Sequence, residues 1–164
     1  MKKLIHPYCQ KFAEIFRREK DKISKHIKKV EIHHIGSTSV PGLGGKGIID
    51  TMIGIKSWKE ADDVVKQLRM MDFKHIHPKE KGRIFLSKVG QTRLGGSHIH
   101  IVIRDSKPYK EILAFRNYLR KNKKEAERFF KLKQEWAKEV KGVRIKYGEL
   151  KGKYVRGILR VIHR

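Results

Sequence analysis

The chain has 164 residues, with 41 Lys and Arg against 17 Asp and Glu, so its formal net charge is +24. A single cysteine, Cys9, excludes an internal disulfide, a CxxC redox pair and a zinc site with two or more thiolate ligands. No run of about 18 apolar residues occurs and the N-terminus lacks the apolar core of a secretory signal, so we expect a cytoplasmic protein with one domain over residues 1–164 and no membrane partner.

The first half of the chain predicts a helix, two strands and a second helix. Apolar residues at helical spacing predict an amphipathic helix within residues 7–29. Residues 30–35 are rich in β-branched side chains and predict a strand that leads into the turn-rich sequence GSTSVPG. An apolar run around Asp50 predicts a buried strand over residues 48–55. Ser57, with Glu60 three positions later, predicts the start of a helix that ends near Met71.

The second half predicts three strands followed by three helices. The strands are expected at residues 73–77, 82–89 and 97–103, with a charged turn at 78–81 and a flexible one at 90–96. Helical spacing begins at Ser106; Asn122 is the expected cap of the second of these helices, and the third begins near Tyr147. This order predicts an α+β fold, a mixed β-sheet of about five strands with packed helices and a helical C-terminal segment.

A candidate phosphate-binding segment runs from Gly36 through Ser37, Thr38 and Ser39, between two predicted strands. Glycine allows the backbone to approach a ligand closely, and the hydroxyls and exposed N–H groups can hold a phosphate. Lys46 would add a positive charge, and Asp50 on the next strand would hold a divalent cation that bridges the phosphates. The segment is not a Walker loop, because Val40 and not a glycine stands six residues before Lys46, and Gly47 stands where a Walker loop requires Ser or Thr.

Two histidines extend this candidate site. His98 and His100 are two positions apart on a predicted strand and therefore share one face. Together with Asp50, and with His34 before the glycine turn, they are candidate metal ligands, and imidazoles favour Mn²⁺, Zn²⁺ or Fe²⁺ over Mg²⁺. The alternative is that the two histidines form structural hydrogen bonds or contact a phosphate directly. His33 is expected to face the opposite side of its strand and to be structural.

Two arginines are further candidates. Arg83 begins a predicted strand, and Arg116 lies on the helix that follows the histidine strand. A guanidinium in either place can hold a phosphate through two parallel hydrogen bonds. The alternative for each is a salt bridge, with Asp50 as a possible partner.

The segment HHIGSTSVPGLGGKGIIDTMIGI resembles the signature of the GrpB family, and the later blocks SHIHIV, LAFRNYLR and YGELK resemble further family blocks in the same order. The resemblance extends from about Glu31 to Tyr154. It implies a nucleotidyltransferase-like (polymerase β-like) fold. It also implies a nucleotide site in which Ser37, Lys46 and Asp50 would act on a nucleoside triphosphate.

One departure bears on catalysis. Nucleotidyltransferases of the fold that this chain resembles carry a second acidic residue two positions after the first. In this chain Met52 stands at that position. A thioether does not replace a carboxylate as a Mg²⁺ ligand, so the usual two-metal arrangement lacks one of its ligands. A lesser departure is Gly47, where the family usually has proline after the lysine.

Three functions remain open from the sequence. The first is metal-dependent nucleotidyl or phosphoryl transfer with Mg²⁺, Mn²⁺ or Zn²⁺. The second is binding of a nucleotide or phosphorylated small molecule without turnover. The third is binding of nucleic acid or another polyanion, since +13 of the net charge falls in the last 58 residues.

Overall fold

The computed structural model describes residues 5–90, 96–140 and 143–164; the flexible turn expected at 90–96 therefore lies largely outside the described residues. The elements in these ranges are α1 (Lys11–His26), β1 (Glu31–Ile35), β2 (Ile49–Ile55), α2 (Ala61–Met70), β3 (His75–Glu80), β4 (Arg83–Lys88), β5 (Ser97–Ile103), α3 (Lys107–Lys121), α4 (Lys123–Glu139) and α5 (Arg144–Ile162). No helix within the described residues is both long enough and apolar enough to span a bilayer.

The five strands form one sheet in the order β1-β2-β5-β4-β3. The central pair, β2 and β5, is parallel, and the other three pairs are antiparallel. The predicted mixed sheet is therefore confirmed. The parallel register places Asp50 beside His98 and Met52 beside His100, and cross-strand neighbours point to the same face of a sheet.

The two faces of the sheet are covered differently. Helices α1 and α2 cover one face through a large apolar cluster that includes Ile23, Leu68 and the fully buried Ile53 and Ile99. On the other face, α3 packs on the β1–β2 half around Ile35, Met52, Val102 and Tyr109. Helices α4 and α5 pack beside α3 rather than on the sheet. The face of β4 and β3 on this side therefore remains accessible next to the helices.

Several boundaries differ from the sequence expectation. Strand β3 continues through Pro78 to Glu80, where a turn was expected. Proline lacks an N–H group, and an edge strand such as β3 tolerates it at a position where the backbone N–H would point away from the sheet. Helix α5 begins at Arg144 instead of near Tyr147. The side-chain amide of Asn122 donates to the carbonyl of Tyr118 at 2.8 Å, so it closes the end of α3 and does not cap α4.

Candidate functional site

Several of the polar residues predicted from the sequence, among them Ser37, Asp50 and His98, meet at the edge where three strands of the sheet begin or end. Strand β1 ends at this edge, while β2 and β5 both begin there, because β1 is antiparallel to β2 and β5 is parallel to it. A cleft of about 790 Å³ starts at this edge and runs along the sheet between β4–β5 and helices α3 and α5. We call it the Asp50 cleft; Ser37, Lys46, Asp50, His98, Lys133 and Lys151 are among its lining residues.

Gly36 makes the turn out of β1 possible. Its backbone has φ 72° and ψ −173°, a conformation that is essentially restricted to glycine. A Cβ atom at this position would lie 2.5 Å from Oδ2 of Asp50, closer than any real contact allows. The turn therefore requires glycine both for its backbone angles and for its close approach to the carboxylate.

Only one of the three hydroxyls after this glycine is available to a ligand. Thr38 and Ser39 are buried; the Thr38 hydroxyl donates to the Ile48 carbonyl at 3.1 Å, and that of Ser39 donates to Gly36 at 2.6 Å. These two hydroxyls stabilise the turn, so the predicted phosphate contact from them does not fit the structure. Ser37 is half-buried at the cleft, and its Oγ accepts a hydrogen bond from Lys133, which leaves its O–H free to donate.

Asp50 is held by two imidazoles. His98 Nδ1 and His100 Nε2 each lie 3.2 Å from the same oxygen, Oδ1. Burial alone would raise the pKa of the Asp50 carboxyl, but the hydrogen bonds from His100 and His98 outweigh it and lower the pKa well below its usual range. The carboxylate is therefore ionised at every physiological pH, and its charge is directed at the two rings.

The hydrogen bonds to a carboxylate also assign the ring protons, since the nitrogen that faces it must donate. His100 then carries its proton on Nε2, and its Nδ1 is buried without a hydrogen-bond partner among the described residues. Burial lowers the pKa of His100, against the opposite effect of the Asp50 carboxylate, and so favours the neutral ring. His98, whose side chain is 30% exposed, has its Nε2 left for the cleft.

These residues do not fit the predicted metal site. Within the described residues, no group of three or more His, Cys, Asp or Glu side chains is arranged to hold a metal ion. The ring nitrogens that face Asp50 carry protons and cannot ligate a cation at the same time. Met52 is fully buried in the apolar cluster under α3, so no second carboxylate stands beside Asp50.

His34 lies on the other face of the sheet, so its predicted role as a metal ligand beside Asp50 is wrong. It pairs across the strands with Thr51, whereas Asp50 pairs with Ile35. Its ring stacks on Phe16 at 4.4 Å, and its Nε2 lies 3.0 Å from the Thr38 hydroxyl. Burial, with Arg120 and Arg116 nearby, lowers the pKa of His34 to about 4.

His33 lies on the face of the sheet that was expected for His34. It shares the face of Asp50, opposite to the expectation, but pairs with Met52 in the middle of β1, and its Nε2 is 2.9 Å from the Tyr109 hydroxyl. That hydroxyl also donates to Glu31. His33 is therefore part of a local polar network under the start of α3, and the structural role expected for it stands.

Lys133 is the site residue that the sequence analysis missed. Its Nζ donates to Ser37 Oγ at 2.7 Å and to the carbonyl of Gly44, and the residue is only 1% exposed. Burial, followed by repulsion from Lys151 and Lys46, lowers its pKa to about 7. A signal was present, because Lys133 follows Phe129 by one helical turn and so falls on the apolar face of α4.

Further cations surround this end of the cleft. The ammonium of Lys46 lies 4.4 Å from the centroid of the Tyr147 ring, and Lys151 is exposed at the cleft wall. Arg83 is exposed farther along the cleft floor and forms no ion pair with any described residue. These three side chains increase the positive potential of the cleft.

Arg116 is partly committed to the fold. Its Nη1 donates to the His34 carbonyl at 2.8 Å, and its Nε and Nη2 donate to the side-chain oxygen of Asn117. It thereby ties α3 to β1 at the cleft. The alternative of an ion pair with Asp50 is not found for Arg116 or for Arg83, because the two imidazoles occupy the carboxylate.

Comparison with known proteins agrees with this architecture. A family model described as GrpB protein matches residues 3–160. The UPF0157 protein YqkA of Bacillus subtilis is 31% identical over 136 residues, which are 79% of this chain and 38% of YqkA. The chain thus spans well under half of that relative.

Two solved structures are similar to the whole fold or to most of it. GrpB from Enterococcus faecalis superposes with a TM-score of 0.81 at 27% identity and covers 96% of each chain. The Cid1 poly(U) polymerase with MgGTP bound superposes with a TM-score of 0.57 at 14% identity, covering 80% of this chain and 44% of that one. The second likeness concerns the fold alone, and it confirms the nucleotidyltransferase-like architecture.

Proposed function

The chain belongs to the GrpB protein family, whose fold it shares with nucleotidyltransferases, and we propose that the Asp50 cleft binds a nucleotide or another phosphorylated small molecule. The observation that carries this proposal is the contact between the buried Lys133 ammonium and the Ser37 hydroxyl. A hydroxyl polarised by a neighbouring cation is a strong donor to a phosphate oxygen, and Lys46 and Lys151 lie at the same end of the cleft.

The charges of the cleft support an anionic ligand. Its lining includes six Lys and Arg side chains and three carboxylates: Lys46, Lys81, Arg83, Arg116, Lys133 and Lys151 against Asp50, Glu80 and Glu111. A concave surface with an excess of one charge concentrates field lines and attracts the opposite charge. Among the remaining lining residues are Phe85, Ile112, Phe115 and Val155, which suit an apolar or aromatic part of the ligand such as a nucleobase.

Binding without transfer is favoured over metal-dependent nucleotidyl transfer. The transfer reaction would require carboxylates that hold divalent cations, and Met52 and the imidazole-bound Asp50 do not meet this requirement. The roles of Ser37, Lys46 and Asp50 in catalysis remain predictions, which release of pyrophosphate from a nucleoside triphosphate would test.

The experiment is a thermal-shift and calorimetric titration at roughly 200 mM salt, which suppresses non-specific polyanion binding. The ligands are the nucleoside triphosphates, inorganic tripolyphosphate and the matching nucleosides without phosphate. We expect binding that needs the phosphates and is weakened by Ser37→Ala and by Lys151→Met. Lys153→Met, an exposed lysine on the same helix that does not line the cleft, is the matched control. Saturable binding that neither cleft variant changes would refute the assignment.

Nucleic acid is the second candidate partner, and the surface charge favours it. Exposed basic residues continue along α4 and α5 outside the cleft, including Lys124, Lys131, Lys138, Lys153 and Arg160. Neutralisation of backbone phosphates by such residues releases counterions, so affinity should fall steeply between about 50 and 200 mM salt. Binding of this kind would be unaffected by Ser37→Ala, which separates it from cleft binding.

A further inference from the structure

We propose that the Asp50 cleft takes its phosphorylated ligand as the free anion, without a divalent cation, and that Lys133 supplies the positive charge that a metal ion supplies in metal-dependent phosphoryl transfer. This inference rests on the proposed function. The ligand would bind as the metal-free anion, and Lys133 would compensate the negative charge of that anion.

The Asp50 carboxylate is already held by the protein through one of its oxygens and is closely approached at the other. Oδ1 accepts from His98 and His100. On the other side, the Gly36 backbone packs so closely against Oδ2 that a methyl group does not fit between them. A cation bound through Oδ1 would have to displace a protonated ring nitrogen.

Lys133 carries its ammonium group in the interior without a direct ion pair among the described residues. Its ammonium is fully buried and held by two neutral acceptors, the Ser37 hydroxyl and the Gly44 carbonyl, and among the described residues it forms no ion pair with a carboxylate. Asp50 attracts the ammonium only from a distance, and a buried charge without a direct ion pair is unfavourable, so an incoming anion would relieve a cost that the free protein carries. An ammonium has three N–H donors; two are used by these acceptors, and the ammonium also lies 4.8 Å from the centroid of the Phe129 ring.

The positive charges at this end of the cleft disfavour a divalent cation and favour a polyphosphate. The Lys133 charge is repelled by those of Lys46 and Lys151, so all three cations act on the same region. A divalent cation placed beside Asp50 would meet the same three positive charges. A polyphosphate meets only attraction from them, and its charges are then neutralised by the protein instead of by a metal.

The experiment measures binding of adenosine triphosphate and inorganic tripolyphosphate by calorimetry, once in excess EDTA and once with Mg²⁺ in excess over the ligand. We expect binding in EDTA, and weaker binding with Mg²⁺, because Mg²⁺ neutralises the anion before it reaches the cleft. Tightening by about tenfold or more with Mg²⁺, Mn²⁺ or Zn²⁺ would overturn the inference while leaving the proposed function in place. Absence of binding in both conditions would refute the two together.

Two variants extend the test. Lys133→Met should weaken binding in EDTA by about tenfold or more, the usual effect of losing a hydrogen bond to a charged group. Lys131→Met, exposed on the same helix, is the matched control and should have no such effect. An equal loss in both variants would contradict a specific role of Lys133.

Asp50→Asn keeps the test decisive if Lys133→Met does not fold, as judged by circular dichroism. Removal of the negative charge nearest the cationic end should tighten binding in EDTA. Loss of binding in Asp50→Asn in EDTA, with an unchanged fold, would contradict the inference, because the carboxylate would then contribute to holding the ligand instead of repelling it.

Discussion

Replacement of Gly36 by alanine should destabilise the protein in two separable ways. The first is backbone strain, since φ 72° with ψ −173° costs a residue with a Cβ atom about 1–3 kcal/mol. The second is steric, because the new Cβ atom would lie 2.5 Å from Oδ2 of Asp50, and overpacking of this kind costs about 1–3 kcal/mol. The sum is a loss of about 2–6 kcal/mol of unfolding free energy.

Gly42→Ala is the matched control. Gly42 also has a positive φ, 81°, but a Cβ atom there has no neighbour within 4 Å, so only strain of about 1–2 kcal/mol is expected. Urea denaturation of both variants at an unchanged m-value gives the two free energies directly. The difference between them measures the contact with Asp50. Equal losses, within about 0.5 kcal/mol, would refute the conclusion that Asp50 closes the space beside Gly36.

Three further predictions concern charge. Lys88→Met should cost about 3–5 kcal/mol in urea denaturation, because it leaves Glu19 buried without its partner at 3.2 Å, and the double variant Glu19→Leu/Lys88→Met should recover most of that loss. The pKa of His34 is about 4 in the folded protein and 6.5 in the unfolded chain, so the unfolded state binds the proton first and stability should fall by about 3 kcal/mol as the pH drops from 6.5 to 4. His34→Gln should flatten that fall, and an unchanged pH profile would show that another group causes it. Affinity for tripolyphosphate should decrease from pH 7 to 9, as Lys133 with its pKa of about 7 loses its proton, and calorimetry of Lys133→Met should show no such decrease.

The sequence was sufficient for the elements that depend on local pattern. Period-two alternation placed His98 and His100 on one face of a strand, and the apolar run around Asp50 identified a buried central strand. The resemblance to the GrpB family then supplied the fold.

What the sequence left undetermined depends on contacts between distant segments. The faces of His33 and His34 were exchanged in the prediction, because the side to which a strand residue points is set by pairing with β2 and not by its own sequence. The state of Asp50 likewise follows from the register that brings it beside His98. Lys133 was overlooked although it stands on the apolar face of α4, where a lysine requires polar partners such as Ser37, far away in the chain.

The parallel pairing of β2 with β5 also has a kinetic consequence. It joins residues 49–55 to residues 97–103, so a long stretch of chain must close before the centre of the sheet can form, whereas the β3–β4 pair is local. Loop-closure entropy makes such distant pairings slow, and we expect β2 and β5 to dock after the hairpin has formed. Because Asp50 meets His98 only across that pairing, we expect the Asp50 cleft to be assembled after the β3–β4 hairpin, and a ligand that bound this cleft would select chains in which β2 and β5 are already paired.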